Sequence, residues 1–116
     1  MPLESPLETL LGRTAARVLL YLFHHGEAYA TGVANDLGLH QSAVQRQLEK
    51  LEASGFLISK RAGRTLLYRM NPKNPAAPKL QELVGVYYEA LPLAERERLF
   101  RVRRRPRRRG KPVRGE

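Results

Sequence analysis

Residues 30 to 51 read ATGVANDLGLHQSAVQRQLEKL, and the spacing within this stretch decides the fold. Ala34 falls where two helices cross so closely that only a small side chain fits. Gly38, four residues later, sits where the chain must turn through a left-handed backbone that glycine adopts without steric cost. Val44, six residues further on, is placed to plug a second helix back into the first. Val33, Leu37, Leu39, Leu48 and Leu51 complete the apolar side. Two helices joined by such a turn make a helix-turn-helix, whose second helix enters the major groove in DNA-binding proteins.

The residues that follow extend the pattern. Gly55 ends the second helix of the pair, FLISKR (56–61) and TLLYRM (65–70) alternate as strands do, and AGR (62–64) makes a tight basic turn between them. Phe56, Ile58, Leu66, Tyr68 and Met70 read as strand positions. Lys60, Arg61, Arg64 and Arg69 lie on or near the loop, where a hairpin can follow phosphates or enter a minor groove. The predicted fold class is mainly α with a small β-hairpin wing (α+β): a winged helix-turn-helix with an added C-terminal helix.

Upstream, Thr14 is predicted to cap a first helix, with Leu11, Ala15, Val18, Leu19 and Leu22 on its 3.6-residue stripe. Ala28 and Tyr29 suit a short strand that pairs with the wing, and Thr31 is predicted to cap the next helix. Downstream, Pro78 opens another helix, since proline is tolerated in a first turn. Its stripe is Leu80, Leu83, Val84, Tyr87 and Leu91, with Val86 and Tyr88 beside it. Gly85 is read as allowing a close backbone approach. After Pro92 a further short helix would leave Leu99, Phe100 and Val102 exposed unless something covers them. This apolar surplus predicts a homodimer with Leu83, Tyr87 and Leu91 in its contact, although folding back on the first helix would also use it.

A chain of 116 residues with a net charge of +10 is one domain's worth and favours a polyanionic partner. The charge is uneven. Residues 103 to 116 (RRRPRRRGKPVRGE) carry +7, and the preceding 102 residues only +3. We therefore expect residues 1–102 to form the winged-helix domain with its helical extension, and 103–116 a disordered basic tail. That tail reads either as a solubilising appendage or as a phosphate clamp without sequence preference. There is no cysteine, which excludes disulfides and thiolate metal sites together. No apolar run approaches the ~20 residues of a membrane span, and the start lacks the pattern of a signal peptide. A cytoplasmic protein with no membrane partner is expected.

The helix opening at about residue 41 is the expected reader. On a wheel of 100° per residue, Leu48 and Leu51 lie within about 40° of Val44, which leaves Ser42, Gln45, Arg46 and Glu49 on the opposite side. Gln41 begins the helix. Arginine pairs bidentately with guanine and glutamine with adenine in the major groove, so Gln41, Ser42, Gln45, Arg46 and Gln47 are the candidate base or phosphate contacts. Polar residues also cover any exposed helix face, and the surrounding pattern is what favours the functional reading. Glu49 fits less well, because it would repel phosphates.

Residues 11 to about 84 resemble the winged-helix regulators of the ArsR/MarR-like group. The stretch from Ser42 to Val84 is most similar to winged helices that accompany minimal nucleotidyltransferases, with Tyr68, Arg69, Asn71, Pro72, Pro75, Pro78 and Leu80 matching a segment found after their wing. The resemblance implies double-stranded DNA as partner and regulation of transcription as function. His40 departs from it, standing where a capping serine or threonine is usual. Metal sensing is common in the ArsR branch, but its thiolates are missing. His24, His25 and Glu27 lack a third histidine at helical spacing, so no metal and no cofactor are expected. No P-loop, GxGxxG, GxSxG or HExxH motif is present, and the chain does not read as an enzyme. No residue pattern names a small-molecule effector. Two other readings stay open: an RNA-binding or ribosome-associated winged helix, and an interaction partner of a separately encoded nucleotidyltransferase.

Overall fold

A computed structural model describes residues 6 to 100 of the chain. The elements run α1 (Pro6–Leu11), α2 (Arg13–His25), β1 (Glu27–Tyr29), α3 (Ala30–Leu37), α4 (Gln41–Ala53), β2 (Leu57–Ala62), β3 (Thr65–Met70), α5 (Ala76–Ala90) and α6 (Leu93–Phe100). The sheet is antiparallel with strand order β1-β3-β2, so the short strand before α3 closes the open edge of the hairpin. The expected mainly helical fold with a β-hairpin wing is present. The basic segment 103–116 lies outside the described residues.

The α3–turn–α4 unit follows its sequence closely. Ala34 is buried, and Val33, Val44 and Leu48 fully so. Gly38 takes φ 69°, ψ 35°, and its N–H donates to the Ala34 carbonyl. Leu39 N–H shares that acceptor at 3.0 Å, which closes the end of α3 and aims the chain into α4. In the wing, Ala62 pairs with Thr65, leaving Gly63 and Arg64 as a two-residue turn with Gly63 at φ 66°. A positive φ is what such a turn requires, and glycine supplies it.

Several local expectations need correction. The first long helix starts at Arg13 behind Gly12, with no side-chain cap, and Thr14 lies inside its first turn. Leu11 does not share the stripe of α2. It ends α1, a helix the periodicity did not reveal, and stays partly exposed. A six-residue helix cannot persist alone in water. Here Leu7 is fully buried and Arg17 Nε donates to Glu8 Oε2 at 3.1 Å, tying α1 to α2. Tyr29, not Thr31, occupies the cap position of α3, and no side chain caps it. The helix predicted from Pro78 begins two residues earlier, with Pro78 in its first turn.

The hairpin's phase also differs. Leu57 is the buried residue of β2, paired with Met70, and Ser59 opposes the buried Tyr68. Ile58 therefore faces away from the core, and Phe56 precedes the strand. Both faces of this hairpin carry apolar residues, so alternation alone could not choose between them. Phe100 is covered after all, packing near His24 and Tyr88 with ring centroids 6.0 Å from each. Asn71 and Asn74 both donate from Nδ2 to the Gly55 carbonyl at 2.9 Å. The proline-rich segment thereby latches the end of α4 to the start of α5.

Candidate nucleic-acid interface

Val44 and Leu48 have no exposed surface and pin one side of α4 to the core. Gln41, Ser42 and Arg46 are exposed on the outer side, while Gln45 and Gln47 sit half-buried on its two flanks. Lys50 is exposed one turn beyond Arg46 and was missed by the sequence reading. Its wheel angle, about 240° from Val44, was the available signal. No side chain caps the start of the helix, where His40 sits in extended backbone.

Lys60, Arg61 and Arg64 are all exposed, but the hairpin distributes them. Arg61 is in phase with Leu57 and Ser59, on the side turned to α4, while Lys60 is in phase with Ile58 on the other. Arg64 is at the tip. Arg69 is not near the loop. It lies at the base of the hairpin, opposite Ile58 on one side and Glu27 on the other. Among the described residues, no ion pair neutralises Arg46, Lys50, Lys60, Arg61 or Arg64, although the exposed Glu49 stands between Arg46 and Lys50 on α4.

Polar contacts hold the helix and hairpin together. Gln45 Nε2 donates to Tyr68 Oη at 3.2 Å and to Glu49 Oε2 at 2.9 Å. The Ser59 hydroxyl donates to Glu52 Oε2 at 2.7 Å. Ser59 and Tyr68 are register partners, and Gln45, Glu49 and Glu52 follow one edge of α4 at helical spacing. Burial pushes the Tyr68 hydroxyl above the ordinary tyrosine value. The Glu52 and Glu49 charges act in the same direction, against the hydrogen bond from Gln45. Tyr68 thus remains a neutral, fixed post under the helix.

Residues 11–74 match the model of the family described as "Sugar-specific transcriptional regulator TrmB". The chain belongs to the TrmB family. It is also similar to the arsenic resistance transcriptional regulator ArsR1 of Pseudomonas putida, with 32% identity over 62 residues. That match covers 53% of this chain and 48% of the relative, so the TrmB-family chain spans about half that protein's length. Among solved structures, the AntR antimony-specific transcriptional repressor superposes with a TM-score of 0.54 at 27% identity, covering 78% of each chain. The Lactococcus lactis ZitR structure, a C30AH42A mutant in apo form, shares the fold at 24% identity with a TM-score of 0.50, covering 78% of this chain and 75% of that one. The relatives whose names state a role are transcriptional regulators rather than enzymes. Membership in the TrmB family confirms the winged-helix regulator reading of the sequence. An association with nucleotidyltransferases is not among these matches.

The residues expected at a dimer contact lie on α5 of this TrmB-family chain. Leu83 is exposed, whereas Tyr87 and Leu91 are partly buried against the core. Val86 on α5, counted in the apolar surplus but not placed in the contact, is exposed, as are Leu10 on α1 and Leu93 on α6, which the sequence did not single out. Among the described residues, no helix is long and apolar enough to cross a membrane. No group of three or more His, Asp or Glu side chains among them is arranged to hold a metal ion.

Proposed function

We propose that this chain is a sequence-specific, duplex-DNA-binding regulator of transcription, working in the cytoplasm as a homodimer. Helix α4 enters the major groove with Gln41, Ser42, Gln45, Arg46 and Gln47. The β2–β3 hairpin carries Lys60, Arg61 and Arg64 along the backbone or into the minor groove. The observation that carries this reading is the exposure of Arg46, Lys50, Lys60, Arg61 and Arg64, none in an ion pair among the described residues, on elements clasped to one another. A polar helix face that presents Arg46 and Lys50 opposite a buried side suits B-DNA, whose major groove admits a helix. The A-form groove of duplex RNA does not. DNA binding is taken from the relatives, but not the arsenic or antimony in their names, because this chain has no cysteine to offer a soft thiolate.

Selection of sites from a random duplex pool, followed by competition with duplex RNA, tests the proposal. A consensus should emerge, and Arg46→Ala should lower the discrimination between that site and random DNA by about 1–3 kcal/mol. Equal loss of specific and non-specific affinity would make Arg46 a phosphate contact. Equal competition by duplex RNA would overturn the DNA reading itself.

A further inference from the structure

Glu49 carries the wrong charge for a surface that meets phosphates, and its contact shows what it does instead. Its Oε2 accepts from Gln45 Nε2 at 2.9 Å, and the same nitrogen donates to Tyr68 Oη at 3.2 Å. An ionised carboxylate has no hydrogen to donate. The Gln45 atom that faces it is therefore the amide nitrogen, and the chemistry of the partner fixes the orientation of the amide. A primary amide carries two N–H groups, and these two contacts use both. Tyr68 cannot follow a moving glutamine. It is 1% exposed, paired with Ala28 and Ser59 on the strands at either side, and Ser59 is itself bonded to Glu52. Among the described residues nothing engages Oε1 of Gln45, half-buried beside Arg46, and this acceptor is the one reading atom left.

An unrestrained glutamine reads adenine with two bonds, N–H to N7 and C=O to the N6 amino group. With both N–H groups engaged, only the second bond remains. Adenine N6 and cytosine N4 offer a donor in the major groove, whereas guanine O6 and thymine O4 are acceptors that repel an amide oxygen. We infer that Gln45, held by Glu49 and Tyr68, is an acceptor-only reading group that selects amino bases (A or C) over keto bases (G or T) at one position of each half-site. Glu49 and Tyr68 are its positioning residues. The inference rests on the proposed placement of α4 in the major groove.

Site selection from a random duplex pool, run with the full-length wild type and four variants, tests it. For the wild type, one position should retain A and C together and deplete G and T by about three- to tenfold, the worth of one net hydrogen bond. Gln45→Ala should level that position and leave the others unchanged. Tyr68→Phe keeps the buried ring and frees one N–H; only the N–H syn to Oε1 can reach adenine N7 while Oε1 accepts from N6, so freeing that one narrows the position from A or C towards A. Glu49→Ala, at an exposed site, frees the other N–H, so one of the two variants should show this narrowing, and thermal unfolding shows whether each variant remains folded. The inference is overturned if Gln45→Ala changes no position, if the responding position prefers G or T, or if A and C remain equivalent in both Tyr68→Phe and Glu49→Ala. Arg46→Ala separates the two levels. If it alters the consensus while Gln45→Ala does not, only the role of Gln45 is wrong. If neither alters it, or no consensus emerges, the major-groove placement fails as well.

Discussion

Gly85 lies on α5 with ordinary helical backbone, and what it lacks is what matters. A Cβ built there would sit 2.8 Å from Phe23 Cε1 and 3.0 Å from Cζ. The Phe23 ring is held in turn against Tyr88, with centroids 5.1 Å apart. Alanine would gain about 1 kcal/mol of helix propensity over glycine, but overpacking of this kind costs about 1–3 kcal/mol. Gly85→Ala should therefore destabilise the domain by about 1 kcal/mol, read as a lower urea midpoint with an unchanged slope. A higher midpoint would show that Phe23 swings aside freely. This close approach was legible in the sequence as a glycine within an apolar helical stripe. Its partner, 62 residues earlier in the chain, was not.

At the scale of elements, α6 covers the ends of α2 and α3 through a cluster of rings. His24 Nδ1 shares a 2.5 Å hydrogen bond with Tyr88 Oη, and Arg96 lies over the Tyr88 ring at 5.1 Å. His25 packs against Tyr21 with centroids 4.2 Å apart, and the Tyr21 hydroxyl donates to Asp36 Oδ2 at 2.6 Å. Burial lowers both histidines below their ordinary 6.5. The Arg96 charge adds to this at His24, and the His24 charge adds to it at His25, where Asp36 and the Phe100 backbone oppose it. A depressed folded value means that the unfolded chain binds these protons more readily. The stabilisation is then fully present above 6.5 and is lost as pH falls through the folded values. The thermal midpoint should hold above 6.5 and drop as pH falls below it towards the folded values, and His24→Asn with His25→Asn should flatten that drop. A wild-type midpoint constant across that fall in pH would show that the cluster does not contribute. The histidines were visible in the sequence as the end of a helix. Their titration depends on Phe100 and Arg96, which only the docking of α6 brings to them.

For the whole molecule, Leu10, Leu83, Val86 and Leu93 are exposed apolar residues on α1, α5 and α6. A symmetric dimer would cover such residues and set two reading helices about 34 Å apart on a pseudo-palindromic site. Leu83→Glu is a cleaner probe than a change at the partly buried Tyr87. It should give a folded monomer by sedimentation, with much weaker binding to the selected site. A wild type that remains monomeric at micromolar concentration would end the dimer reading. The basic segment 103–116 belongs to the same scale. Deleting it should weaken binding to all duplexes and reduce the slope of log K against log salt by about 0.9 per lost phosphate contact. An unchanged slope would leave it a solubilising appendage.

The sequence by itself determined what obeys short-range rules. Ala34, Gly38, Val44 and Leu48 announced the helix-turn-helix because the 3.6-residue period and the left-handed glycine are fixed within a few residues of chain. The Gly63-Arg64 turn and the exposed Arg46 were legible for the same reason. Tertiary structure decided what depends on residues distant in sequence. The six residues of α1 are helical because Leu7 finds the core. Leu57 rather than Ile58 points inward because pairing with β3 sets the register. Phe100 is buried because α6 docks across α2 and α3. The bond from Gln45 to Tyr68, 23 positions away, likewise exists only once the hairpin lies against α4, since no local rule relates a helix flank to a strand formed after it.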